Sequence, residues 1–419
     1  MRMVETLLAV RASRMFDGDR CFGPSTVLIG GGRIVDVDTT GAAPPPHAEV
    51  LELGRDVCLL PGLIDAHVHL AFDASADVVA RLDAVDDGQL LAQMAKAAGQ
   101  ALRAGITTVR DLGDRSFLAL RLREQLDAGG DPGPQIVTSG PPITVRGGHC
   151  HFLGGVATGA SELRAAVRER AGRGCDVVKV MVSGGRLTPG STPHESQYDL
   201  TDLRLIVAEA HGLGLSTAAH VHGPRSVADA VRAGFDTLEH VTFITDEGVA
   251  ADPATIAAIV ESGAVVSATV GEVPGVGDLP VSIASRLEIV IESWARLHRN
   301  GARIVPGTDA GIRRSKPHDV LPYGLAALSG LGMTNLEALR AATTVAAGAC
   351  GLTGRKGRLT RGADADLLAV TGDPLRDIRA LHDVVAVIRA GRLVPDHPSG
   401  LRGWPRDDLA VPRPRHTGH

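Results

Sequence analysis

From Leu59 to about Cys350 the chain alternates short runs rich in Val, Ile and Thr with longer Ala-, Leu- and Arg-rich segments of helical period. That alternation is the pattern of repeated βα units around a parallel sheet. Strand-like runs follow Gly105 (ITTVRD), Gly133 (PQIVTSG), Gly174 (CDVVKVMVSG), Gly214 (LSTAAHVHG), Gly234 (FDTLEHV), Gly263 (AVVSATV) and Gly301 (ARIVPGTDAG). A glycine at such a joint supplies the left-handed residue that ends a helix. With LLPGLIDAHVH as the first, eight strands are expected. Helices are expected between them near Gly88–Arg103, Phe117–Ala128, Ser161–Gly172, Leu200–His211, Arg225–Arg232, Pro253–Glu261, Ser282–Arg299 and Asn335–Ala347. Eight units over about 290 residues is the size of a TIM barrel, so residues 59–350 read as an α/β fold of (β/α)8 type.

The flanks follow another rhythm. Residues 1–58 hold short alternating strands (TLLAVRA, TVLIG, RIVDVD, EVLEL), and more appear in 364–394 (DADLLAV, VVAVIRAGRLV). The second set is too short to fold alone, so residues 1–58 and 351–395 are expected to form one small discontinuous β-sandwich. Residues 396–419, with several prolines, read as a loosely ordered tail.

Composition narrows the function. A formal charge of -5 gives no basic field for a phosphate backbone, and nucleic acid is excluded as an expected partner. Aromatic residues, at 3%, are too few for a stacking platform. The start, MRMVETLLAVRASRMF, lacks a signal-peptide pattern and no run of 18 uncharged apolar residues occurs, so a soluble cytoplasmic protein without a membrane partner is expected. Cys21, Cys58, Cys150, Cys175 and Cys350 are scattered and never form a CxxC pair, which suggests neither a disulfide framework nor a thiolate metal site.

Function in such barrels gathers at the C-terminal strand ends. His67 and His69 end the first strand as HVH, where period two turns both imidazoles to one face and Val68 away. Spacing alone suits two packed polar histidines equally well. Lys179 interrupts a hydrophobic strand at the expected barrel mouth, and a buried lysine is costly unless paired, neutralised or chemically altered. A salt bridge and a functional lysine both remain open. His220, His240 and Asp309 stand at the ends of the fifth, sixth and eighth strands. Ligand-type residues on five strand ends are not what core packing produces.

The runs PGLIDAHVHL, AGITTVRDLG, VVKVMVSGG, EAHGLGLSTAAHVHG, AGFDTLEHV, GTDAG and ADLLAVTGDPL resemble the amidohydrolase superfamily, in its imidazolonepropionase-like and prolidase-like branch. The resemblance covers nearly the whole chain apart from the tail, and it implies the same barrel and composite β-sandwich. It also implies two divalent metal ions, commonly zinc. His67, His69 and Asp309 would hold the more buried ion, and His220 and His240 the more exposed one. Lys179, carboxylated by carbon dioxide, would bridge them, because a carbamate replaces a cation with a two-oxygen anion. A bridging hydroxide would attack an amide carbonyl of a small-molecule substrate, with Asp309 passing the proton to the leaving amine.

His149, in RGGHCHF, matches a segment of this branch and is expected to bind substrate or the tetrahedral intermediate; Tyr198, in SQYDL, is expected to stabilise a developing oxyanion. His222, His151, His194 and Arg186 are weaker candidates near the mouth. Arg313 or Arg314 would bind a substrate carboxylate, against the plainer reading of solvated charges. Val68, Val241 and Cys150 depart from the branch's usual residues without removing a ligand. The leading expectation is a binuclear hydrolase of a dipeptide or N-acyl amino acid. The alternatives are a mononuclear cyclic-amide hydrolase or deaminase, an esterase, lactonase or biosynthetic cyclase on the same centre, and a non-catalytic scaffold. The strand-four lysine, and the absence of a Glu after His220, favour the binuclear form. Relatives are often oligomers, so a homo-oligomer is compatible with the resemblance.

Overall fold

A computed structural model describes residues 7–129, 131–277 and 284–395. Eight parallel strands form where the sequence pattern places them: Leu63–Val68, Ile106–Asp111, Gln135–Thr138, Val177–Met181, Ser216–Val221, Thr237–His240, Val265–Ser267 and Arg303–Val305. They pair as one ladder of the first three and another of the last five. Bridges between Val68 and Ala310, and between Ile143 and Val180, join the two ladders at both edges and close the barrel. The first, second and fourth strands are buried at every residue, as a sheet covered on both faces requires.

Six of the expected joint glycines, Gly105, Gly174, Gly214, Gly234, Gly263 and Gly301, adopt left-handed φ. Gly133 does not; it is small because a Cβ there would run into Leu126. The helices Asp87–Arg103, Leu118–Asp127, Gly159–Arg173, Leu200–Gly212, Pro224–Ala233 and Pro253–Ser262 alternate with the strands as expected. Of the expected helix Ser282–Arg299, the first two residues lie outside the described ones, and the helix runs over Leu287–Arg299.

The expected helix Asn335–Ala347 is corrected to two, Asn335–Ala341 and Thr344–Ala349. The carbonyl of Ala342 accepts from Ile64 N at 2.9 Å, and so leaves the helical ladder for the first barrel strand. Thr343 takes up the break at φ −127°, ψ −92°. Two further helices, Val78–Asp83 and Leu321–Gly330, lie in loops after the first and eighth strands.

Strands from both ends of the chain share one sheet, in the order 392–393, 384–389, 367–371, 57–61, 14–16, 21–22, while 33–38, 25–30, 8–12 and 49–52 form another. The strand Val57–Pro61 runs through Gly62 directly into the first barrel strand, and Gly62 N donates to Asp366 O at 2.9 Å. The buried Lys356 ammonium pairs with Asp366 below that junction. The tail from 396 lies outside the described residues. Among the described residues, no helix is long and apolar enough to cross a membrane.

Candidate metal centre

The first strand brings His67 and, just past its end, His69 to the barrel mouth, with their Nε2 atoms 3.3 Å apart. Asp309 Oδ1 lies 3.5 Å from His67 Nε2 and 3.3 Å from His69 Nε2. Ligands of a tetrahedral zinc at about 2.0–2.1 Å stand about 3.3–3.4 Å from one another, so these three atoms fit one face of such a site. Asp309 reaches them from a left-handed turn, φ +61°, whose N–H donates to His67 O at 2.7 Å.

Across the mouth, His220 Nδ1 and His240 Nε2 face each other at 2.9 Å, with their rings at 72°. Two imidazole lone pairs approaching edge to face in this way can converge on one ion. His222 lies close enough to join the pair into a three-histidine group. It stacks on His240, however, at 4.6 Å between centroids and 18° between planes. Stacked rings carry parallel in-plane lone pairs, which do not converge. With Nδ1 bonded to Thr242 Oγ1 at 2.9 Å, His222 forms a wall beside the pair.

The other ring nitrogen of each of the four histidines meets a protein acceptor. His67 Nδ1 donates to Glu239 Oε2 (2.8 Å), His69 Nδ1 to Gly113 O (3.2 Å), His220 Nε2 to Gly184 O (3.1 Å) and His240 Nδ1 to Thr269 Oγ1 (3.1 Å). Such outer partners fix the tautomer and leave the facing nitrogen free to ligate. Burial, reinforced by the Lys179 charge, brings His67 down to about 4, and burial holds His220 and His240 well below their usual value. These imidazoles are therefore neutral, as metal ligands must be. Burial would raise Glu239, but Arg110 and the His67 hydrogen bond outweigh it and keep the carboxylate ionised.

Lys179 is 1% exposed, and its Nζ makes no hydrogen bond among the described residues. This corrects the salt-bridge reading. Burial pulls its pKa down to about 8, so about a tenth is free amine at pH 7, far more than for an ordinary lysine. An orphaned amine whose charge acts on His67, His220 and His240 fits conversion to an anion better than a buried ammonium. The donor set thus suits two divalent ions.

Among the substrate candidates, His149 is buried against the site, its ring 4.7 Å from His220 and its Nδ1 without a partner among the described residues. Gly185 packs flat on this ring, where any Cβ would collide with it. The Tyr198 hydroxyl donates to Ala157 O at 2.8 Å within the core. The hydroxyl expected to stabilise an oxyanion is thus engaged by a backbone carbonyl in this structure. Arg313 pairs with Glu272, so the guanidinium expected to meet a substrate carboxylate already has one of the protein's own. His194 pairs with Asp246 at 3.2 Å on the surface, and His151 is exposed.

Several residues at the site escaped the sequence reading. Glu239 and Arg110 are buried partners at 3.0 Å, and Arg110 also holds Ala66 O and Ala349 O. Asp65 accepts from Thr308 N and Thr308 Oγ1 beneath Asp309. Lys316 is buried and donates to Thr269 O and Thr308 O, both at 2.7 Å. For Asp65, Arg110 and Glu239 the available signal was the same as at Lys179, a charge inside a strand run, whereas Lys316 lies in the loop after the eighth strand and carried no such signal.

The sequence profile described as "Amidohydrolase family" matches residues 58–394. The chain is 30% identical over 394 residues to ochratoxinase of Aspergillus niger, an alignment covering 83% of this chain and 78% of that one. It is 27% identical over 413 residues to imidazolonepropionase of Rubrobacter xylanophilus, covering 89% and 91% respectively. Its fold superposes with a TM-score of 0.82 on the crystal structure of an Xaa-Pro dipeptidase with methionine in the active site, at 26% identity and 93% and 99% coverage.

Proposed function

This chain belongs to the amidohydrolase family, hydrolases acting on carbon–nitrogen bonds, and we propose that it is a binuclear metal-dependent enzyme cleaving the amide of a dipeptide or N-acyl amino acid. The observation that carries the binuclear reading is Lys179, a buried amine with no partner among the described residues and a pKa lowered to about 8. As free amine it could add carbon dioxide, forming an N–C bond and releasing a proton, and the carbamate so formed would be an anion able to ligate metal ions where an ammonium would repel them. His67, His69 and Asp309 would hold one ion, and His220 and His240 the other. Bound there, zinc or a similar dication supplies hydroxide near neutral pH and polarises the scissile carbonyl.

The protein's own groups do the rest. Asp309 is kept ionised because the polar and charged groups around it, the two histidines and Lys316 among them, outweigh the burial that would raise it. It can hold the proton lost by water and return it to the leaving nitrogen. His149 and His222, both neutral by burial at about 3, face the substrate as hydrogen-bond partners of its carbonyl or of the tetrahedral oxygen. The dipeptide or N-acyl choice is supported by the likeness to an Xaa-Pro dipeptidase and to ochratoxinase.

The test is metal content by plasma emission on protein prepared with zinc and bicarbonate, for the parent and Lys179→Ala, beside a library of dipeptides and N-acyl amino acids. About two ions per parental chain, lost with hydrolysis in the variant, is the expected result. About one ion, unchanged by the substitution, would replace this reading with the mononuclear cyclic-amide hydrolase, for which the imidazolonepropionase likeness speaks.

A further inference from the structure

We infer that Lys316 is a positioning residue that holds the two ligand groups of the centre in register through the backbone turns after the seventh and eighth barrel strands. The inference rests on the binuclear reading. The Lys316 ammonium is buried and donates to the carbonyls of Thr269 and Thr308 at 2.7 Å each. Those two carbonyls flank the site. Thr269 presents its hydroxyl to His240 Nδ1, in the second ligand group, at 3.1 Å. Thr308 immediately precedes Asp309, in the first, and its hydroxyl donates to Asp65, which in turn accepts from His67 N.

Both turns need an external restraint. Thr269 has φ +49° and Asp309 φ +61°, left-handed conformations that a residue with a Cβ adopts only when its surroundings enforce them. A turn of that kind directs a carbonyl away from its strand ladder, and a buried carbonyl requires a donor. One ammonium supplies a donor to both at once. Lys316 is itself fixed, since its carbonyl accepts from Gly311 N at 2.8 Å and its N–H donates to Arg313 O at 2.9 Å. A cap formed by Glu272 pairing with Arg313, and by Val273 N donating to Ser315 O at 2.8 Å, ties the two loops together outside it. A change in the Lys316 contacts would therefore shift the Thr269 hydroxyl and the Asp309 carboxylate together.

Cobalt-substituted protein tests this, because the visible absorption of each ion reports its own ligand field. The variants are Lys316→Met, which keeps the chain length without a donor, and Lys316→Gln, whose amide keeps a donor and serves if the Met protein does not fold. In folded variant, judged by circular dichroism, both ions are expected to change absorption and to bind roughly 10–100-fold more weakly in chelator competition. In activity, kcat is expected to fall with little change in KM. Two cobalt ions with parental absorption and affinity would overturn the inference, even with a lower melting temperature, since that is the mark of a purely structural lysine. A change confined to one ion would overturn the coupling of the two groups. A parental protein holding a single cobalt would instead retire the binuclear reading, and the two-site role of Lys316 with it.

Discussion

Glu239 Oε2 accepts a hydrogen bond from His67 Nδ1 at 2.8 Å, and both side chains are fully enclosed. Glu239 also accepts from Arg110 at 3.0 Å and from Thr237 Oγ1 at 2.7 Å. A buried carboxylate with these donors sets the His67 tautomer and makes Nε2 more electron-rich. Glu239→Gln keeps the shape and removes the charge. Metal affinity of the His67 group is expected to fall about 10–100-fold, measured by chelator competition, and because the buried Arg110 loses its counter-charge the metal-free protein is also expected to lose about 3–5 kcal/mol in unfolding. Unchanged affinity would mean that Glu239 serves Arg110 rather than the metal site.

Tyr198 allows a separation of stability from catalysis. Tyr198→Phe leaves the buried Ala157 carbonyl without its donor, at a cost of about 1–3 kcal/mol in urea unfolding. Because the hydroxyl is engaged by the Ala157 carbonyl, kcat per folded molecule is expected to stay within about twofold of the parent. A large loss of kcat at normal stability would return Tyr198 to the substrate.

Gly185 carries the opposite expectation. A Cβ there would collide with the His149 imidazole, which lies beside His220. Gly185→Ala should therefore displace His149 and lower kcat/KM by about tenfold or more, about 1.4 kcal/mol of transition-state binding. Far-ultraviolet circular dichroism and metal content should remain parental. Full activity would show that His149 has no part in the reaction.

His382 governs acid stability away from the centre. Its ring packs edge-on to Tyr323 at 4.5 Å, and burial brings its pKa down to about 4 from 6.5. The unfolded chain takes up this proton as pH falls through about 6.5, the folded chain only near 4, so stability present above 6.5 is lost across that window. The full shift corresponds to roughly 3 kcal/mol. Metal-free His382→Phe should lose less stability than metal-free parent between pH 7 and 4.5 in urea titrations. Parallel curves would show that another group carries the acid sensitivity.

Much of this protein follows from sequence alone because its signals are local. Strand period and helix-ending glycines located all eight barrel strands, and the ligand-type residues lie at the strand ends that a barrel exposes at one mouth. The recurrence of those runs in family order also pointed to the amidohydrolases. What sequence could not supply depends on contacts between distant segments. Glu239 and His240 are neighbours, and strand alternation would send them to opposite faces. Both reach the centre because His240 turns left-handed at φ +73°. Tyr198 and Arg313 stood in suitable loops, yet their polar groups are taken by Ala157 and Glu272, partners 41 residues away in each case. Lys316 escaped the sequence reading and is buried, with its ammonium on the carbonyls of Thr269 and Thr308. A local pattern fixes which residues arrive at the mouth; only the packed chain decides which of their polar atoms remain free for chemistry, because each buried donor or acceptor takes whatever partner tertiary contact brings within reach.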